Sequence, residues 1–257
     1  MKEEAYPILQ WSDLYLPKRA IKSPNSLIFN RLKLSLRDYE RIFNDFRCEN
    51  FDMIATYRPY HFNREDFGLF IYSELFSMLV LSILQRTSMG LRDAHTLALD
   101  SILTHGSFHY LIERYATFSE DSSSVEAPRI YPNYKRNIYS QVWGTTDCFE
   151  ETLANAFVLR ANPMWSKIQR NYIEFLFTRQ RDGYRQAIEV GKENSHGMFD
   201  QLETQIVSHR PRNIPRLSEY IEANIPFRLF RLPVYLVNDC NCPEDFDRIV
   251  EMLFPQL

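Results

Sequence analysis

Residues 91–115 read LRDAHTLALDSILTHGSFHYLIERY, the clearest helical pattern in this chain of 257 residues. Residues suited to burial recur there at intervals of three and four, which is the repeat of one helix face. The recurring residues are Leu91, Ala94, Ala98, Ile102, His105, His109 and Ile112. The pattern predicts a long helix with His105 and His109 on the face that packs inward.

Two histidines four residues apart differ by only about 40° around a helix, so both side chains can reach one cation. Neutral imidazole is a common ligand of zinc, and a catalytic zinc site takes three protein ligands and leaves one position open. The alternative is that His105 and His109 are two core histidines that pack together without a metal. A third ligand elsewhere in the chain distinguishes the two interpretations.

The stretch 147–158, DCFEETLANAFV, predicts a second helix that opens at Asp147 and supplies this ligand. Asp147 and Glu150 have the spacing of a capping box, which assigns Glu150 to the helix N-terminus. Glu151 then falls on the inward face, where a carboxylate is costly unless it is paired or bound to metal. Asn155, one turn later, is placed to hydrogen-bond a ligating histidine.

The two histidines of the first helix, followed by Glu-x-x-Ala-Asn on a later helix, resemble the gluzincin class of zinc metallopeptidases, including its small bacterial intracellular members. The likeness covers about residues 65–160 and extends to an expected closing strand near 232–237. It implies zinc as cofactor, with His105, His109 and Glu151 as ligands. It also implies a single zincin-like α+β domain over residues 1–257. Such a domain has a small mixed sheet packed on the metal-binding helix and a mainly helical C-terminal half.

One position departs from the family pattern, because the general-base glutamate that follows the first histidine is Gly106 here. Loss of a general base typically costs about 10²–10⁴-fold in rate. We therefore expect metal binding with reduced or absent peptide hydrolysis. The alternatives are a hydrolase that uses Glu113 or Glu150 as its base, and a metal-free interaction or scaffold protein.

Glycine also costs about 1 kcal/mol relative to alanine inside a helix, so its presence at 106 needs a reason. Three reasons compete. The site has decayed naturally, another backbone or a ligand approaches closely at this position, or the residue is an inactivating substitution.

Two apolar runs precede the long helix, Gly68–Tyr72 and Ser77–Ile83. We predict two adjacent strands, and one helix across both runs is the alternative, because short apolar runs are ambiguous by periodicity.

Net charge, apolar segments and cysteine spacing exclude several classes of function. A net charge of −3 provides no basic field for nucleic acid. The N-terminus lacks an apolar signal core, the apolar stretch 68–84 is short for a membrane span, and four cysteines are scattered. These features predict a cytoplasmic protein, and the resemblance to the metallopeptidases implies a peptide or protein as substrate or partner. The chain has neither a phosphate-binding glycine loop nor a serine-hydrolase elbow.

Overall fold

A computed structural model of the chain describes residues 54–60, 67–121, 133–142, 145, 147–180, 183–192, 196–207, 214–224 and 232–237. Within these residues lie three short strands, seven α-helices and one π-helical segment. Their bounds are β1 (Ala55–Arg58), β2 (Gly68–Tyr72), α1 (Ser73–Arg86), α2 (Leu91–Asp121), the π-helical segment (Lys135–Val142), α3 (Phe149–Ala161), α4 (Lys167–Thr178), α5 (Ala187–Lys192), α6 (His196–Ile206), α7 (Leu217–Asn224) and β3 (Val234–Val237). The predicted α+β class is confirmed, and the structure is mostly helical.

The three strands form one mixed sheet with the order β1-β2-β3. β1 is antiparallel to β2, with Tyr57 opposite Leu69, and β3 is parallel to β2, with Val234 opposite Leu69. Leu69 is buried at the centre of the sheet. The predicted strands at 68–72 and near 232–237 are therefore confirmed.

The prediction of a second strand at 77–83 is wrong, because these residues lie in helix α1. Leu75, Leu79 and Ile83 are buried at intervals of four, which is a helical repeat. Most of the run consists of leucine, methionine and isoleucine packed on one core. Such an apolar run is compatible with either a strand or a buried helix, and tertiary packing determines which one forms.

Helix α2 confirms the long helix predicted from its periodicity. Its 31 residues rise about 46 Å, and the predicted stripe is buried from Ala94 onward, whereas Leu91 is exposed. The N-terminal half of α2 packs in a core with the sheet, α1 and α4. The C-terminal half packs in a second core with α3, α6 and α7. His105 and His109 lie near the middle of α2, between these two cores.

Helix α3 is buried on all its faces, with only Arg160 exposed after its first residue. It packs along α2 and also contacts α4, α5 and α6. The predicted capping box is wrong, because the N-cap residue is Cys148 and no side chain caps the helix. Glu150 turns into the protein interior instead. No helix in the described part of the chain is long and apolar enough to cross a membrane.

Candidate metal centre

Two helices bring the predicted ligands together. His105 and His109 lie one turn apart on the buried face of α2, and Glu151 lies in the first turn of α3. All three are at most 4% exposed. The packing of α3 along α2 places the carboxylate opposite the two imidazoles, so the residues selected by their spacing form one buried cluster that can hold a metal ion.

The three ligand atoms form a nearly equilateral triangle. His105 Nε2 and His109 Nε2 are 3.1 Å apart, and each lies 3.4 Å from Glu151 Oε2. Ligands of a tetrahedral zinc ion, at about 2.0–2.1 Å from the metal, are separated by roughly 3.3 Å. A point about 2.05 Å from all three atoms lies roughly 0.7 Å outside their plane, which is also the tetrahedral offset. The triangle therefore has the size that a small divalent cation requires.

Asn155 determines which nitrogen of His105 carries the proton. The amide nitrogen of Asn155 donates to Gln180 Oε1 at 2.6 Å and to the Tyr184 carbonyl at 3.2 Å. Its oxygen therefore faces His105 Nδ1, at 3.0 Å, and accepts the proton that this nitrogen donates. The lone pair of His105 is left on Nε2, which is the atom in the triangle. The predicted hydrogen bond from Asn155 to a histidine of the cluster is present in the structure.

Glu150 has the same role for His109. Its Oε1 lies 2.7 Å from His109 Nδ1, and the Tyr134 hydroxyl donates to both carboxylate oxygens, at 3.0 and 3.2 Å. In neutral His109, with Nδ1 as donor, the lone pair lies on Nε2, beside His105 Nε2 and Glu151 Oε2. The capping box predicted for Glu150 is replaced by this contact with His109, and the hydrogen bond from Tyr134 was not predicted. The only signal in the sequence was a second acid next to Glu151 in an apolar helix.

Glu151 Oε2 is a buried oxygen for which the described residues supply no hydrogen-bond partner. Its separation of 3.4 Å from each histidine nitrogen is long for a hydrogen bond but suits two ligands of one ion. Buried polar atoms are nearly always satisfied, so this oxygen needs an explanation. A bound cation would satisfy it together with both nitrogens.

The close packing of two acids and two histidines shifts the pKa values of His109, Glu150 and Glu151. Burial alone would raise the pKa of Glu151, but the two histidines outweigh it and lower the pKa to about 2. Burial opposes protonation of His109, yet Glu151 and Glu150 raise its pKa well above 6.5. Burial also raises the pKa of Glu150. Without a metal, therefore, a proton on His109 supplies positive charge that partly compensates the two buried carboxylates.

Gly106 is explained by the side chain of Leu69. A Cβ atom at 106 would lie 2.6 Å from Leu69 Cδ1 and 2.9 Å from Cδ2, which is closer than real contacts allow. Leu69 is 1% exposed and sits between β1 and β3, so it has little room to move. Close approach is therefore the reason that the structure supports, although the approaching group is a side chain rather than a backbone or a ligand. Leu69 fills the space beside position 106, where a glutamate would extend.

The two alternative bases have other partners. Glu150 binds the Nδ1 side of His109, away from the triangle of ligand atoms. Glu113 is buried and accepts hydrogen bonds from the Tyr57 hydroxyl and, at 3.2 Å, from the Tyr60 backbone N–H. The Tyr57 ring stacks on His109 with centroids 6.2 Å apart, so Glu113 is linked to the cluster through one tyrosine.

Comparisons of this chain with protein-family models, with curated proteins and with solved structures find no match.

Proposed function

We propose that this protein binds one divalent transition metal, zinc by its choice of donors, through His105, His109 and Glu151. We further propose that it is a zincin-like relative of the gluzincin metallopeptidases that hydrolyses peptides poorly or not at all. One observation carries the metal proposal: three lone-pair atoms converge within 3.4 Å of one another. Asn155 and Glu150 draw the imidazole protons to the Nδ1 atoms, so a metal ion can bind both Nε2 atoms and Glu151 Oε2 at once, whereas a proton on His109 satisfies them only in part.

The charge of the cluster supports a dication. Glu150 and Glu151 are buried carboxylates, and within the described residues their ion-pair partners are the two histidines alone. With both imidazoles neutral, the cluster carries two negative charges in the protein interior. An ion of charge +2 neutralises them, which removes most of the cost of burying the two acids.

The donor set favours zinc over the other common dications. Calcium and magnesium prefer six or more oxygen ligands, whereas two imidazole nitrogens and one carboxylate form a well-known zinc set. When bound at such a site, zinc polarises a carbonyl and lowers the pKa of a bound water. The small sheet packed on the helix that carries both histidines supports the zincin-like part of the proposal.

The same residues argue against efficient peptide hydrolysis. Position 106 offers no base, and Leu69 fills the adjoining space. Glu150 is engaged by His109 and Tyr134 on the side of His109 opposite the triangle. The cluster is at most 4% exposed, which leaves little access for a peptide.

Metal content of the purified protein tests the metal proposal. We expect about one zinc per chain by elemental analysis, and loss of most of it in His109→Ala and Glu151→Gln. Cobalt substitution should give the intense visible bands of four-coordinate Co²⁺. His95→Gln is the matched control, because His95 lies on the same helix but is exposed and packs on Phe76. Equal zinc in the wild type, the cluster variants and the control would overturn the proposal.

An active hydrolase with Glu113 as base is the second candidate, favoured by its indirect link to His109 through Tyr57. Zinc-loaded protein and Glu113→Gln should be compared on a mixture of fluorogenic peptides. Zinc-dependent cleavage that Glu113→Gln abolishes, with zinc content unchanged, would establish the hydrolase. Absence of cleavage in the loaded wild type supports the metal-binding protein without peptidase activity.

A further inference from the structure

A second feature lies on α2, one turn beyond His109. There a cavity of about 580 Å³ opens between the ends of the first two strands and α7. A volume of this size is typical of sites for small organic molecules. Its lining is mainly aromatic, with the charged residues Glu113 and Arg114 on α2.

Aromatic rings form two walls of this cavity. On one side Phe67 makes edge contacts with Tyr60, with centroids 5.7 Å apart, and a tilted contact with Tyr110 at 6.0 Å. On the other side Phe118 and Tyr220 stack with 19° between their planes. Tyr60 and Phe118 remain 48% and 43% exposed, so the walls are open to solvent at their edges. Such walls favour a flat or apolar group between them.

The accessible charge in the cavity is positive. Glu113 is only 3% exposed and already accepts hydrogen bonds from Tyr57 and Tyr60. Arg114 is exposed on α2, with its guanidinium 5.9 Å from the centre of the Tyr110 ring. Within the described residues no carboxylate lies within ion-pair distance of Arg114. Its planar group of five N–H donors is suited to a carboxylate.

We propose that this cavity binds an organic carboxylate whose aromatic or aliphatic group lies between the two walls and whose carboxylate pairs with Arg114. The ligand chemistry is shared by a free carboxylic acid and by the C-terminal residue of a peptide. The proposal goes beyond metal binding, since none of the three metal ligands lines the cavity. Failure of one proposal would therefore leave the other intact.

Calorimetric titration of the purified full chain tests the proposal with two probes that differ by one charge, N-acetyl-phenylalanine and its C-terminal amide. We expect the acid to bind at least about tenfold more tightly than the amide. Arg114→Gln should remove this difference. Arg114→Lys should retain part of it, because lysine keeps the positive charge but lacks the planar guanidinium that pairs with both carboxylate oxygens. Arg92→Gln, an exposed arginine near the start of the same helix, should bind both probes like the wild type.

The walls and the source of the ligand are tested in the same titrations. Tyr220→Leu should weaken the acid and the amide alike, because it removes ring contact and leaves Arg114 in place. Tighter binding of Gly-Gly-Phe than of N-acetyl-phenylalanine would support a peptide C-terminus, and the reverse would support a free acid. Equal binding of acid and amide, an Arg114→Gln variant that binds like the wild type, or no binding of the acid up to about 10 mM would overturn the proposal.

Discussion

At the scale of single residues, both histidine ligands of the candidate metal centre are held by a neighbouring side chain that is not itself a proposed ligand. Asn155 orients His105, and Glu150 orients His109, each through the Nδ1 proton. Groups that hold ligands in this way typically change metal affinity by about 10–100-fold when they are removed. Both Nε2 atoms therefore face the triangle before any ion arrives, and a metal ion needs only to displace the proton from His109.

Gly106 is the residue where packing and helix propensity oppose each other most clearly. Gly106→Ala gains about 1 kcal/mol in helix propensity, but its new methyl group overlaps Leu69. Overpacking a buried site costs about 1–3 kcal/mol, so we expect a net loss of stability in urea unfolding.

Leu69→Ala supplies the matched background for this measurement. It creates a cavity and costs about 2–5 kcal/mol by itself. In that background, however, Gly106→Ala should become stabilising, because the methyl group now enters free space. The same loss from Gly106→Ala in both backgrounds would show that Leu69 is not the reason for the glycine.

At the scale of secondary-structure elements, the metal centre joins three segments. α2 supplies both histidines, α3 supplies Glu151 and its neighbours, and Tyr134 precedes the π-helical segment and donates to Glu150. Asn137 in that segment also donates to the Gln205 carbonyl at the end of α6, at 2.7 Å. π-Helical turns are rare and frequent at functional sites. The segment is thus attached to the cluster on one side and to α6 on the other.

This attachment predicts that metal removal loosens the π-helical segment. Hydrogen exchange of residues 133–142 should be slower in zinc-loaded protein than after chelation, because the metal fixes His109 and so the Glu150 carboxylate that Tyr134 contacts. Tyr134→Phe removes the connecting hydroxyl and should abolish the difference. The control region is α1, which packs in the core formed with the sheet and the N-terminal half of α2 and should exchange equally in both states. A zinc effect that persists unchanged in Tyr134→Phe would contradict this coupling.

The sequence predicted helices α2 and α3 but not helix α1, nor the contacts that form where the elements dock. The periodicity of α2 identified both histidines, and the acid-rich start of α3 identified Glu151, because spacing along one helix determines which side chains share a face. Helix α1 was predicted as a strand, since its apolar run fits either structure. The partners Glu150 with His109 and Leu69 with Gly106 depend on how helices and sheet dock, and local spacing carries no information about docking.

At the scale of the whole molecule, the cluster lies between two hydrophobic cores, so its net charge affects the stability of the fold. The metal-free protein depends on a protonated His109. The pKa of His109 is higher in the folded protein than in the unfolded chain. The stability that its proton contributes is therefore complete below about pH 6.5 and is lost as the pH rises through the folded-state pKa. Burial raises the pKa of Glu150, so this residue also makes the folded protein less stable as the pH rises above about 4.5. Glu151 has the opposite pH dependence, because its pKa is lowered. Its stabilising contribution is present at neutral pH and is lost as the pH falls from about 4.5 toward 2.

We therefore expect metal-free and zinc-loaded protein to diverge as the pH rises. Between pH 6.5 and the higher folded-state pKa of His109, the metal-free protein should lose stability, because the unfolded chain has given up the proton that folded His109 still holds. Zinc replaces that proton and binds more tightly to deprotonated ligands, so the loaded protein should keep its stability. The difference between the two melting temperatures should thus widen from pH 6.5 to higher values, measured at fixed free zinc against chelator. In Glu151→Gln one ligand and one charge are gone, and the widening should largely disappear. Parallel pH curves for loaded and metal-free wild type would mean that zinc and the His109 proton do not compete for the same triangle of atoms.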